Sequence, residues 1–405
     1  MPTAVPPVDA AEARSPVRSL LTYSLPPLNL PYPETLPSRR SELVTAVRAV
    51  GAGRGLLAAF GEPAARAGLR LRLSERPAPD PDVRSGLRAG RWEGLRSLPV
   101  SPPSPQAHAE QDEHDRYFAV QRTGDDVERD FVAGLLLAHL SAYENCLAMG
   151  VTLLDQPEWY RLFAGLRGLA RFVEGEDAPS PGGSAQDEPP PQPSPSGWRD
   201  GYNPAARWLI GHQLFFALIQ GAIVGLNCFA SATADASGDR EQGLALSAAF
   251  LRSSAAAMKL TSDFDPADYD ATVRPAMSPP RVREGFSGLQ TRDHACLIRL
   301  FGALKPTLTA LAGRVGVHEE LVDSVISAYA AHEYICARFR GDVLPSLRMA
   351  ATTHGKTKRP GTEVIREMMR ARLALIAPAA PSGPPATAPG EADPLGPEPR
   401  TGRPS

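Results

Sequence analysis

Cysteine is scarce in this chain: 405 residues contain four, Cys146, Cys228, Cys296 and Cys336, and no two form a CxxC pair. That excludes a disulfide framework and a tetrahedral zinc site of the usual ligand spacing. An excess of one charge is missing too, with 43 Lys and Arg against 45 Asp and Glu and a formal net charge of -2. Nucleic acid and anionic membranes both require a basic face, so neither is expected as a partner. No apolar run is long and clean enough to span a bilayer. The longest, 208–229, is broken by His212, Gln213, Gln220 and Asn227, and reads instead as a buried core helix. The first residues carry acids and prolines and lack the apolar centre of a signal peptide, so a cytoplasmic protein is expected. Strand-type alternation is nearly absent, and aromatic residues make up 6% of the chain.

What the chain does have is proline, 42 residues of it, unevenly placed and marking the joints. Residues 1–37 are Pro-rich and expected to be irregular. Short helical patterns follow over 41–54 and 62–72. A proline cluster at 101–106 leads into a polar run. Phe131, Leu135, Leu136 and Leu140 then recur at helical spacing and predict a long helix over 125–149, with another over 157–172. Segment 174–197, which contains PSPGGSAQDEPPPQPSPSG, reads as a low-complexity linker or surface loop. Beyond it, helices are predicted over 205–230, 240–262, 290–312, 318–340 and 362–376, ahead of a Pro/Ala/Gly tail from 378. The fold class is all-α. The expected division is a small N-terminal helical region over 1–120, a helical catalytic domain over 121–377 and a disordered tail over 378–405.

Four places carry residues suited to chemistry. In AYAAHEYICARFR, His332 and Cys336 are four apart, so both side chains leave one helix face a turn apart. Two chemistries suit that pair: a shared metal ion, or a haem whose iron takes the imidazole while the thiol reaches a vinyl group. In GFSGLQTRDHACLIRL, His294 sits early in a helix that Thr291 is placed to cap, after a backbone loosened by Gly285 and Gly288. Along 205–230, Gln213, Gln220 and Asn227 recur every seven residues and form a polar stripe on an apolar helix, either facing backbone groups or lining a pocket. His212 lies beside that stripe, as His139 and Tyr143 pair on the earlier long helix. Lastly, HGKTKRPGTEVIREMM is a basic loop opening a helix, with Thr362 as expected N-cap and Glu363 in the first turn. Such a loop supplies donors for carboxylates.

In their order these segments resemble the indoleamine and tryptophan dioxygenase-type haem proteins. The matching stretches are Ser287-Gly288-Leu289-Gln290-Thr291, His332 in its long helix, and Pro360-Gly361-Thr362. A narrower group within that superfamily, the haem-dependent 3-methyl-L-tyrosine hydroxylases of saframycin-type antibiotic pathways, carries an H-x(n)-H-x-x-x-C signature. Here 37 residues separate His294 from His332, and three separate His332 from Cys336. The resemblance implies an indoleamine 2,3-dioxygenase-like helical haem domain. It implies that His332 and His294 ligate the iron and that Cys336 makes a thioether to the haem. The implied reaction is hydroxylation of 3-methyl-L-tyrosine ortho to its hydroxyl, with hydrogen peroxide or with dioxygen and a reductant, in tetrahydroisoquinoline antibiotic biosynthesis. His294, released from the iron, is then the acid/base. Ser287, Gln290, Arg292 and Thr362 are the expected contacts to the amino-acid end of the substrate, and Arg338 and Arg340 those to the haem propionates. An indole-cleaving dioxygenase and a non-catalytic haem carrier are the alternative functions. A homodimer is the default expectation for a soluble enzyme.

Overall fold

The computed structural model describes residues 25–52, 57–75, 105–175, 188–193, 202–235, 240–283, 286, 291–313, 316–339 and 359–377. Helix dominates, as expected. In chain order the main helices are α1 (Arg40–Ala49), α2 (Pro63–Ser74), α3 (Pro105–Tyr117), α4 (Val127–Met149), α5 (Gln156–Leu162), α6 (Ala164–Glu174), α7 (Pro204–Asp235), α8 (Arg240–Thr261), α9 (Arg292–Leu311), α10 (Gly316–Arg338) and α11 (Gly361–Ile376).

Helix α7 is the axis of the molecule. It is long and apolar enough to cross a bilayer, yet 89% of its apolar window is buried inside the fold, which makes it a core helix. Helix α8 packs along it closely enough that backbones touch. A methyl at Gly225 would meet the Ser247 nitrogen at 2.5 Å, and one at Gly243 would meet the Phe229 nitrogen at 2.7 Å, so only glycine fits at either place. Capping follows the usual chemistry elsewhere. Asp126 accepts from the Arg129 nitrogen at the start of α4, and Gly150 ends it at φ 77°. Asp155 and Glu158 form a capping box on α5.

Three features depart from the expectations. Leu28–Pro31 (β1) is a strand, paired in parallel with Val120–Thr123 (β2), Leu28 opposite Val120. The polar run before β2 is helix α3. And the linker is partly built into the body: Pro189 and Pro190 are buried, Trp159 donates to the Pro190 carbonyl at 2.7 Å, and Gln192 donates to the Leu154 carbonyl at 2.7 Å. Residues 340–358 and those from 378 lie outside the described residues.

The polar stripe of α7 faces backbone. Gln213 donates to the Phe118 carbonyl at 2.9 Å, Gln220 to that of Pro31 at 2.8 Å, and Asn227 to those of Leu36 and Pro37 at 3.5 and 3.4 Å. The stripe therefore clamps the N-terminal strand region onto the core helix. It gives backbone carbonyls of that region side-chain donors inside the fold. One hydrophobic core runs from Leu28 to Ile376.

Candidate active site

Helices α7, α8, α9 and α10 line a narrow, partly open cleft. His294 and His332 both line it. The rest of the wall is mostly apolar, with Phe215 and Ile219 from α7, Leu251 from α8 and Phe301 from α9. His294 reaches it from the first turn of α9, where the Thr291 hydroxyl accepts from the His294 nitrogen at 3.2 Å. The cap read from the sequence is thus in place. His332 comes from the last third of α10, and Cys336 follows one turn later.

The electrostatics of the cleft suit neutral ligands. Burial holds the His332 imidazole well below its ordinary value, at about 4, so its lone pair is free near neutrality. Its Nδ1 is buried with no hydrogen-bond partner. Such an orphaned group costs free energy unless something completes the site. Burial pushes the Cys336 thiol up to about 11, with Glu333 adding to the effect. The thiol is therefore protonated and, on its own, a poor metal ligand.

A third histidine stands nearby. His212 lies one turn before Phe215 on α7, and its Nδ1 donates to the Trp208 carbonyl at 2.7 Å. Burial brings it to about 4, opposed by that bond and helped by the charges of His332 and His114. Its ring stacks on Phe118 at 4.5 Å and lies 4.3 Å from Trp208. Beyond Trp208, Tyr269 stacks on Phe339 at 4.0 Å. Tyr269 is pushed up to about 12, mainly by burial, with Arg274 opposing and Cys336 adding to the rise. The Trp208 Nε1 and the Tyr117 hydroxyl are also buried without a hydrogen bond of normal geometry. Sequence reading named His212 but missed this aromatic cluster. Its one local signal, the π-helical turn Tyr269–Val273, is of a kind frequent at functional sites, but it is not visible in the residues alone.

The other expected contacts fare differently. Ser287, Gln290 and Arg340 lie outside the described residues. Arg292 is buried and already engaged, donating to Asp112 at 2.6 Å and lying 3.5 Å from Asp115. Its guanidinium holds α3 against α9, a tie that a substrate carboxylate would have to displace. Arg338 donates to the Ser262 and Phe264 carbonyls at 3.1 and 2.8 Å and so closes the C-terminal end of α8. Thr362 is buried, but it is the second residue of α11, and Pro360 occupies the cap position. The cap expected at Thr362 is thereby corrected: Pro360 supplies the extended backbone that starts the helix.

Among the described residues no group of three or more His, Cys, Asp or Glu side chains is arranged to hold a bare metal ion. A haem needs only one or two axial side chains and an apolar slot. Two imidazoles on one apolar cleft, one of them with a buried nitrogen unmatched, fit that group.

Comparison with known proteins points the same way. A family model described as SfmD 3-methyl-L-tyrosine peroxygenase matches residues 29–318, a span that contains His294 and stops before His332. A 3-methyl-L-tyrosine peroxygenase of Streptomyces lavendulae is 28% identical over 356 residues, covering 86% of this chain and 90% of that protein. The crystal structure of reduced SfmD, obtained by soaking with sodium hydrosulfite, aligns at TM-score 0.57 and 23% identity, covering 76% of this chain and 97% of that one. It establishes a shared helical fold.

Proposed function

We propose the following from one premise: the chain belongs to the SfmD 3-methyl-L-tyrosine peroxygenase family. It is a haem enzyme that hydroxylates 3-methyl-L-tyrosine ortho to the phenol hydroxyl. One oxygen of hydrogen peroxide replaces the ring hydrogen as a hydroxyl group, the other leaves as water, and 3-hydroxy-5-methyl-L-tyrosine results. Dioxygen with a reductant is the alternative source of the same oxygen. The observation that carries the reading is that His294 and His332, from separate helices, line one apolar cleft.

Bound there, haem supplies the iron centre at which peroxide is activated. His332, kept neutral by its surroundings, would hold the iron through its imidazole lone pair. His294, which lines the same cleft from α9, would be a second residue to hold the iron. Once free of it, its imidazole carries a proton to or from peroxide or the phenol. Cys336, one turn after His332 on the same helix, would be the residue to hold the haem covalently, through a thioether to a vinyl group, and so keep it in register with His332. Apolar walls from α7 and α9 exclude water and leave an aromatic ring a dry surface to pack on. Ser287, Gln290 and Thr362 are retained for the amino-acid end of the substrate, and Arg338 and Arg340 for the propionates.

The test is product analysis. Purified enzyme, peroxide and 3-methyl-L-tyrosine should yield the catechol. An N-formyl product from tryptophan instead would make it an indole-cleaving dioxygenase, and no turnover of any aromatic amino acid would make it a carrier.

A further inference from the structure

Asp293, the residue just before His294, is fully buried, and its carboxylate is the meeting point of three donors. Arg122 reaches it from β2 with Nη1 at 3.0 Å and Nη2 at 2.7 Å. Gln220 reaches it from α7 at 2.9 Å. Arg122 in turn holds Asp115 of α3 through Nε at 3.0 Å and Nη2 at 2.6 Å, and the Pro31 carbonyl of β1 at 3.2 Å. All five guanidinium hydrogens are thereby used, and the side chain is only 5% exposed.

An ordinary core would not need this arrangement. Burying a guanidinium between two carboxylates is costly to assemble, and apolar residues of similar volume often do as well for stability. What the network adds is orientation. A forked guanidinium fixes both oxygens of Asp293 in one plane, and the Gln220 amide adds a third direction. The Thr291 cap holds the same turn from the other side. The helix end that carries His294 is thus capped within its own turn by Thr291 and tied at Asp293, through Arg122 and Gln220, to β1, β2, α3 and α7.

We propose that Asp293, through Arg122 and Gln220, is a positioning residue for His294: it fixes the first turn of α9 so that the imidazole reaches the iron, and leaves rotation of the side chain as the way it departs. This rests on the reading of His294 as an iron ligand. Loosening the anchor shifts the resting ferric protein away from the form with two imidazole ligands, without removing the haem.

The experiment reads coordination rather than turnover. Ferric absorption spectra and cyanide-binding rates are compared for the wild type, Asp293→Asn, Gln220→Leu and Trp159→Phe. Trp159→Phe removes a buried hydrogen bond elsewhere in the core, to the Pro190 carbonyl. Asp293→Asn and Gln220→Leu should raise the high-spin fraction, and Asp293→Asn should speed cyanide binding about tenfold, the effect of one charge-assisted hydrogen bond. Trp159→Phe should leave both readings as in the wild type. An unchanged spectrum and rate in Asp293→Asn, or an equal shift in Trp159→Phe, overturns the proposal. Should Asp293→Asn fail to fold, Gln220→Leu decides alone, a shift supporting the proposal and none refuting it. If instead the wild type lacks the two-imidazole spectrum and His294→Ala does not alter it, the ligand reading itself has failed, and the anchor role falls with it.

Discussion

His139 and His212 are held neutral by burial, each brought from 6.5 to about 4. His139 has carbonyls of Leu135 and Leu162 at 2.9 and 3.3 Å from its two ring nitrogens, yet desolvation of the charged form outweighs both. A folded-state value below the unfolded one means that the unfolded chain takes up protons the native state refuses. Stability is therefore full above pH 6.5 and falls as the pH drops from 6.5 toward 4. The slope is roughly 1.4 kcal/mol per pH unit for each such histidine. Denaturant midpoints measured at pH 7, 6 and 5 should decline, and His139→Leu, if it folds, should flatten the decline; a constant midpoint over that window would contradict the assignment. At this scale the sequence was most legible where spacing carries meaning. His332 and Cys336 share a helix face because four residues make a turn. Arg122 and Asp293 are 171 residues apart, and no local pattern announces that they meet.

Helices with an apolar stripe were readable, and the departures fall where something else decides. Helix α3, PQAHAEQDEHDRY, has almost no stripe. It is held through charge, with Asp112 on Arg292 and Glu113 on Arg283, both at 2.6 Å, and Asp115 on Arg122. Its partners are remote in sequence, so composition alone read it as a polar run. The Pro-rich segment was read as a linker or surface loop from its low-complexity composition. It docks through its carbonyls instead, which accept from Trp159 and, at 3.3 Å, from Tyr143. Trp159→Phe should cost about 1 kcal/mol and speed proteolytic cleavage near Pro190; unchanged stability and cleavage would show the docking to be incidental. The α7–α8 contact is stricter. Gly225→Ala places a methyl 2.5 Å from the Ser247 nitrogen, where backbone must move, and should destabilise by about 2 kcal/mol or more. A neutral outcome by denaturant titration would mean that the two helices slide apart freely.

The whole molecule is more unified than its proline content suggested. Residues read as an irregular N-terminal stretch supply β1, whose partner β2 carries Arg122, and two amides of α7, Gln220 and Asn227, hold the carbonyls of Pro31, Leu36 and Pro37. The family match begins at residue 29, within β1. Deleting residues 1–37 should therefore abolish the folded state, seen as lost helical circular dichroism; a well-folded truncation would show that the strand is dispensable. At the far end, His318 meets the Ile376 carbonyl at 2.7 Å, so α11 closes onto α10, the helix that bears His332. The fold class and the histidine pair could be read from the chain itself. The strand pair, the buried arginine and the aromatic cluster could not, because each exists only through contacts between segments far apart in sequence. The central claim is that His332 binds a haem iron while Cys336 ties the same haem to the chain. Acid–acetone extraction of the purified protein, followed by an absorption spectrum of polypeptide and extract, tests it most directly. Haem should stay with the wild-type chain, pass into the extract from Cys336→Ala, and be nearly absent from His332→Ala; a colourless wild-type protein, or haem bound undiminished in His332→Ala, would contradict it.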